Sequence, residues 1–183
     1  MKIGIIDIET CGFLRENGVI VEVGIVSLDT DTGEIDPVFS CVCREDHLRA
    51  KHRDAWIFKN SDLTVEEVRA APKLPDLLPL IQEHIDGLDA CTAFNKSFDF
   101  NFLRNRSLRI ENEWPCPMRA ATPVCKIPNK NGRAGHKWPT VEEAWNHFFP
   151  DEPYTEAHRG FDDALHEARI VYELHKLGLM INE

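Results

Sequence analysis

The stretch KIGIIDIET, Lys2 to Thr10, has the apolar run of a buried β-strand, yet two acids, Asp7 and Glu9, lie inside it. Successive side chains of a strand point to opposite faces, so Asp7 and Glu9 share one face while Ile6 and Ile8 share the other. Two carboxylates about 7 Å apart on one face of a central strand repel each other and resist burial. Either the strand is an edge whose acids face solvent, or a divalent cation offsets that cost. Mg²⁺ and Mn²⁺ are hard ions that prefer oxygen ligands, and the mutual repulsion of the acids then becomes metal affinity.

Working outward from this strand, CGFLRENG (11–18) reads as a turn, and VIVEVGIVSLD (19–29) and DPVFSCVCR (36–44) as a β-hairpin beside the first strand. Thr64 and Glu67 have capping-box spacing, which predicts a short helix over 63–72, stopped near Pro72. A second helix is predicted over 74–86, a strand over 88–94 and a helix over 95–108, with Phe98, Phe102 and Leu103 at helical spacing. Residues 111–139, rich in Pro, Asn and Gly toward their end, read as one short strand and a long loop. Thr140 and Glu143 repeat the capping-box signature ahead of a helix ended by Pro150. The last helix is predicted from Gly160 to Leu177, with Gly178 at its C-terminal cap. Strands first, then strand and helix alternating, indicate one α/β domain over 1–183 built on a mixed sheet.

The 183 residues, 43% of them hydrophobic, suffice for one sizeable core, and no segment approaches the ~20 apolar residues of a membrane span. The N-terminus does not read as a signal peptide, and the six cysteines show no C-x-x-C pair. Reduced, mostly buried thiols and a cytoplasmic location are therefore expected, with no zinc site. A net charge of −10 argues against a broad basic surface for nucleic acid. Two local basic clusters stand apart: Arg104, Arg106 and Arg109, and the loop carrying Lys126, Lys130, Arg133 and Lys137. Each reads either as solvated surface charge or as a guide for a strand.

Two further acid-bearing stretches fall where strand ends and helix starts converge in an α/β sheet: Asp99 in NKSFDFNFL, and HRGFDDA, His158 to Ala164. Two metals held about 4 Å apart among such acids can serve phosphoryl transfer. In order and context, DIET, NKSFDFNFL and H-x-x-x-x-D resemble the three motifs of the DEDDh, or DnaQ-like, 3′→5′ exonucleases. That family includes polymerase proofreading subunits, oligoribonuclease and ribonuclease T, and the likeness extends over most of the chain.

The resemblance implies a ribonuclease-H-like fold in which Asp7, Glu9, Asp99 and Asp163 hold two Mg²⁺ or Mn²⁺ ions. It makes His158, whose ordinary pKa near ~6.5 suits proton exchange at neutral pH, the general base. Thr10, Asn95 and Phe98 align with positions that shape the pocket for the terminal nucleotide. At Cys11-Gly12-Phe13 the family often has Thr-Gly-Leu, so Phe13 offers a ring for base stacking where Leu would wedge. The family's Tyr-bearing subgroup would need a Tyr one helical turn ahead of the acid, and none sits there. The implied partners are DNA or RNA 3′ ends, with a polymerase recruited in trans and a homodimer both compatible. The rival readings are a catalytically silent nucleic-acid-binding module on the same fold and a ribonuclease-H-like endonuclease.

One helical consequence separates two neighbouring acids. Steps of three and four from Asp162 give His166, Arg169, Glu173 and Lys176, a polar stripe expected to face water. The same steps from Asp163 give Glu167, Ile170, Leu174 and Leu177, expected to face the body of the protein.

Overall fold

The computed structural model describes residues 1–130 and 134–181, apart from the side chain of residue 51. Its strands are β1 (Lys2–Cys11), β2 (Val19–Asp29), β3 (Ile35–Val42) and β4 (Ala90–Thr92), in the sheet order β3-β2-β1-β4. β1 runs antiparallel to β2 and parallel to β4, so the sheet is mixed and the acid-bearing strand is internal. Beyond β4, among the described residues, the sheet continues as a bridge from Cys91 to Glu113.

The period-two pattern of β1 divides the molecule. Ile3 and Ile5 enter one core with Val26, Leu28 and the inward residues of α7 (Gly160–Lys176), under α5 (Pro117–Cys125) and α6 (Val141–Phe148). Ile6 and Ile8 enter the other core, against α3 (Leu74–Asp86) and α4 (Lys96–Asn105). Two short helices, α1 (Ile57–Asn60) and α2 (Val65–Ala70), close the remaining end over Cys11, Val19 and Val21. The result is the α/β, ribonuclease-H-like architecture, a mixed sheet flanked by helices.

Local chemistry explains most of the boundaries. The Thr140 hydroxyl accepts the Glu143 N–H while the Glu143 carboxylate accepts the Thr140 N–H, a complete capping box. At α2 only the Thr64 half of that exchange forms. Gly178 takes φ +71°, the left-handed turn that ends α7. The loop expected over 111–139 contains a helix instead, α5. Pro117 sits at its first turn, where a missing N–H costs nothing, and Pro123 lies near its end. Proline read as a breaker there is in fact a helix starter. The strand at 88–94 is shorter than expected, and 3₁₀ turns form at 14–16 and 50–54.

The arginine cluster after α4 divides: Arg106 is taken into the fold, whereas Arg104 and Arg109 stay at the surface. Arg106 forms a nearly buried ion pair with Glu45 (2.9 Å) and donates to the Gly18 carbonyl (2.7 Å). Arg104 is paired with Glu113, and Arg109 is exposed. In the other cluster Lys137 is paired with Glu143, Lys126 and Lys130 are exposed, and Arg133 lies outside the described residues. Arg106→Ala leaves the buried Glu45 without its arginine, with only the Ile20 N–H and His47 beside it, so a stability loss of about 3 kcal/mol is expected, read as a lower Tm. An unchanged Tm would return Arg106 to ordinary surface charge.

Candidate active site

Two glycines bring the start of α7 onto the acid-bearing strands. A Cβ on Gly24 of β2 would lie 2.2 Å from the Gly160 carbonyl carbon, and one on Gly160 would lie 3.1 Å from the Asp7 carbonyl oxygen. Side chains at these positions would push α7 off the sheet. The close approach sets Asp163, in the first turn of α7, beside Asp7 and Glu9. Directly after Glu9 the pairing with β2 slips by one residue, a bulge of the kind that re-aims side chains beside functional sites.

The five candidates converge. Asp99, in the first turn of α4, is 2% exposed and its Oδ1 accepts the Ile8 N–H of β1 (3.3 Å). Asp163 is 1% exposed. One of its oxygens accepts the Tyr154 hydroxyl (2.9 Å) and the Ala157 N–H (3.2 Å), the other the Arg159 N–H (2.9 Å). These bonds fold the 157–159 loop around the carboxylate and hold His158 at φ +54°, a backbone conformation that is strained for a non-glycine residue. Ligand atoms of Glu9, His158 and Asp163 lie within 4.8 Å of one another, a grouping that fits a metal ion. Asp7 and Asp99 lie outside that triplet and act on it through charge.

Electrostatics follow from crowding. Burial, then the charges of Glu167, Glu9, Asp99 and Asp163, push Asp7 well above the usual carboxylate range. Burial, then Asp163, Glu22, Glu156 and Asp99, push Glu9 up to about 9. Asp99 and Asp163 are also raised, chiefly by burial, with their hydrogen bonds opposing the shift. A hard cation among these oxygens relieves both the repulsion and the lost hydration, so the donor set fits Mg²⁺ or Mn²⁺.

Asp7, Glu9 and Asp99 line a cleft of about 510 Å³ with aromatic walls, among them Phe13, Trp56, Phe94 and Phe98, while Asp163 and His158 meet Glu9 outside that lining. Phe13 is 55% exposed, and Phe98 is half-buried against Phe102 (centroids 5.2 Å apart). Thr10 also lines the cleft, its hydroxyl donating to the Gly12 carbonyl (3.1 Å). Asn95 is exposed at φ +63° as the cap of α4 and lines a different cavity, with Arg119 and Trp138.

Four features escaped sequence reasoning. Glu167, 2% exposed, accepts the Phe94 N–H (3.2 Å) and adds a further acid beneath the cleft. The inward stripe from Asp163 already contained it. Tyr154 reaches Asp163 from a loop nine residues earlier, not from the preceding helical turn. Trp56, 59% exposed, meets His158 edge to face (centroids 4.5 Å apart). Arg159 binds Glu22, the residue opposite Glu9 on β2, at 2.9 Å, and Asp62 at 2.7 Å.

The helix stripes also need two corrections. His166 stacks on Tyr154 and Arg169 lies over the rings of Trp145 and Phe149, so the middle of the polar stripe packs on aromatics, while Asp162 and Lys176 at its ends face water as expected. Leu177 is 58% exposed, because the helix ends at Lys176 and the inward phase is lost.

A family model for exonucleases, of the ribonuclease T type, matches residues 5–171. The chain belongs to this family, the DEDDh exonucleases. The DNA polymerase III PolC-type of Clostridium perfringens (strain 13 / Type A) is 26% identical over 122 residues, which are 67% of this chain and 8% of that protein. Among solved structures, the DEDDh nuclease domain of 3′hExo bound to rAMP superposes with a TM-score of 0.74 at 19% identity, covering 100% of this chain and 96% of that one. A full-length 3′-exonuclease gives 0.71 at 18% identity, covering 99% of this chain and 62% of that one. The cell-death related nuclease CRN-4 gives 0.69 at 13%, covering 97% of this chain and 64% of that one. Among the described residues no helix is long and apolar enough to cross a membrane.

The raised pKa of Glu9 fixes a sign for stability. Its ordinary value is 4.5 and its folded value about 9, so between these the folded protein holds a proton that the unfolded chain has released. Stability of the metal-free protein is then greatest in acid and is lost as pH rises through that window. Its Tm in chelator is expected to fall from about pH 5.5 to about pH 8.5, and saturating Mg²⁺ should remove most of the slope. A metal-free Tm that rises with pH would contradict the buried acid cluster.

Proposed function

We propose that this exonuclease is metal-dependent and works 3′→5′, removing nucleoside 5′-monophosphates from a single-stranded or frayed DNA or RNA end. The observation that carries the reading is the meeting of Asp7, Glu9, Asp99 and Asp163, from β1, α4 and α7, in one buried cluster where the other three acids raise the pKa of Asp7, and Asp163 and Asp99 raise that of Glu9. These four would hold two Mg²⁺ or Mn²⁺ ions. When bound, such ions lower the pKa of an attacking water and stabilise the charge on the leaving oxygen.

The chain's own residues do the rest. His158 takes the proton from the attacking water and can pass it on, because imidazole exchanges protons near neutral pH. Tyr154 and the Ala157 and Arg159 N–H groups fix the Asp163 carboxylate, and through the same loop they fix His158. Phe13 and Phe98 stack on the terminal bases, a contact worth about 1–3 kcal/mol per base and tolerant of sequence. Thr10 shapes the same pocket, whereas Asn95, at the cap of α4, lines a separate cavity and has no part in this reading.

The test is one digestion panel: matched DNA and RNA, single- and double-stranded, 5′-labelled, with Mg²⁺, Mn²⁺ or EDTA. A ladder shortening from the 3′ end with nucleoside 5′-monophosphate products is expected, and a 3′-blocked strand should survive. Cleavage of the blocked strand would indicate an endonuclease. No cleavage of any substrate, with binding retained, would indicate a silent binding module.

A further inference from the structure

The cleft adjoins a second cavity of about 570 Å³ that shares one wall residue with it, His52. The two differ in chemistry. The cleft is acidic and aromatic, whereas no aromatic ring other than histidine lines the second cavity. Its one carboxylate, Glu45, is held by Arg106 (2.9 Å) and the Ile20 N–H (2.8 Å) on one oxygen and faces His47 Nε2 (3.5 Å) with the other. What remains on the wall is the Asn17 amide and the exposed guanidinium of Arg49. The segment HLRAKHR (47–53), which supplies His47, Arg49 and His52 to this wall, contains no acid, in a chain of net charge −10. The cavity beside Asn95 and Trp138, in contrast, shares no lining residue with the cleft.

We propose that the second cavity is a subsite for the sugar–phosphate backbone of the strand lying 5′ to the nucleotide being removed. The proposal rests on the exonuclease reading given above. A polyanion approaching a cluster of acids is repelled, and a donor-rich site continuous with the cleft offsets that repulsion one or more phosphates away from the reaction. Bases are held by rings in the cleft, and backbone is held by charge beyond it. The contact is therefore indifferent to sequence but sensitive to length and salt.

Two substrates separate the cavities. The p-nitrophenyl ester of thymidine 5′-monophosphate occupies the cleft alone, and a single-stranded decamer spans both. For Arg49→Ala and Arg49→Glu, the decamer KM should rise about threefold and about tenfold, with a salt slope shallower by about 0.7 for the lost phosphate contact. kcat/KM for the ester should stay within about twofold, since a contact confined to the backbone leaves the reacting site alone. An unchanged decamer KM, or an equal loss on both substrates, overturns the subsite. Fluorescence anisotropy of a labelled decamer in chelator keeps the two readings apart. If wild type cleaves neither substrate yet Arg49→Glu weakens decamer binding, the exonuclease reading fails and the subsite stands. If wild type cleaves both and binding ignores Arg49, the subsite alone fails.

Discussion

Asp7→Ala is expected to lower hydrolysis by at least about 10³-fold while the fold survives. The loss follows if Asp7 is a metal ligand as proposed, its charge stabilisation being worth several kcal/mol, at about 1.4 kcal/mol per tenfold in rate. Survival of the fold follows from the electrostatics: Asp7 is pushed far from its ordinary pKa by burial and by Glu167, Glu9, Asp99 and Asp163. Without metal, removing its carboxylate relieves strain on the others, so the metal-free variant should melt at or above the wild-type Tm. Mg²⁺ should then stabilise wild type more than the variant. Asp99→Ala should behave alike in rate. Robust activity in excess EDTA, or undiminished activity of Asp7→Ala, would sink the two-metal assignment.

The second large effect distinguishes His158 and Asp163 from their neighbour. Asp163→Asn should cut kcat by at least about 10²-fold, because it weakens a metal ligand. It also disturbs the three hydrogen bonds that shape the His158 loop. Asp162→Asn should cost under about tenfold, chiefly through the lost N-terminal helix charge, worth ~0.3–1 kcal/mol of stability. The Asp162 side chain is 48% exposed and lies near His166 at 3.4 Å. His158→Ala should lose about 10²–10⁴ in rate as a general base. Calorimetric titration with Mn²⁺ supplies the discriminating readout, because His158 lies within ligand distance of Glu9 and Asp163. Unchanged metal affinity supports the base, and a tenfold or greater weakening, about 1.4 kcal/mol, makes His158 a ligand. A dead Asp162→Asn beside an active Asp163→Asn would overturn the ligand assignment at α7.

Glu167 and Glu9 illustrate how far a local pattern carries. Glu9 was visible because a strand alternates: an acid two residues from another acid must share its face. Glu167 was equally visible in kind, four residues after Asp163 on the same helical stripe, but nothing local marked it as lying beneath the cleft. The stripe through Asp162 misled for a related reason. Periodicity says which side chains share a face and not what covers that face, and Tyr154, Trp145 and Phe149 cover the middle of this one.

By itself the sequence determined the strand carrying Asp7 and Glu9, both capping-box helices, the phase of α7 at Asp163 and the family. All of these rest on spacings within one element, where backbone geometry converts residue number directly into direction. Tertiary structure alone decided what joins the elements. Arg159 meets Glu22 across 137 residues and Arg106 meets Glu45 across 61. Tyr154 and Trp56 reach the site from segments with no period to read. The close seating of α7 on β2 depends on Gly24 meeting Gly160, two residues whose lack of a side chain has meaning only once they touch. Such contacts depend on how loops close and which faces stack, and those are set by the whole chain's packing, not by any local repeat.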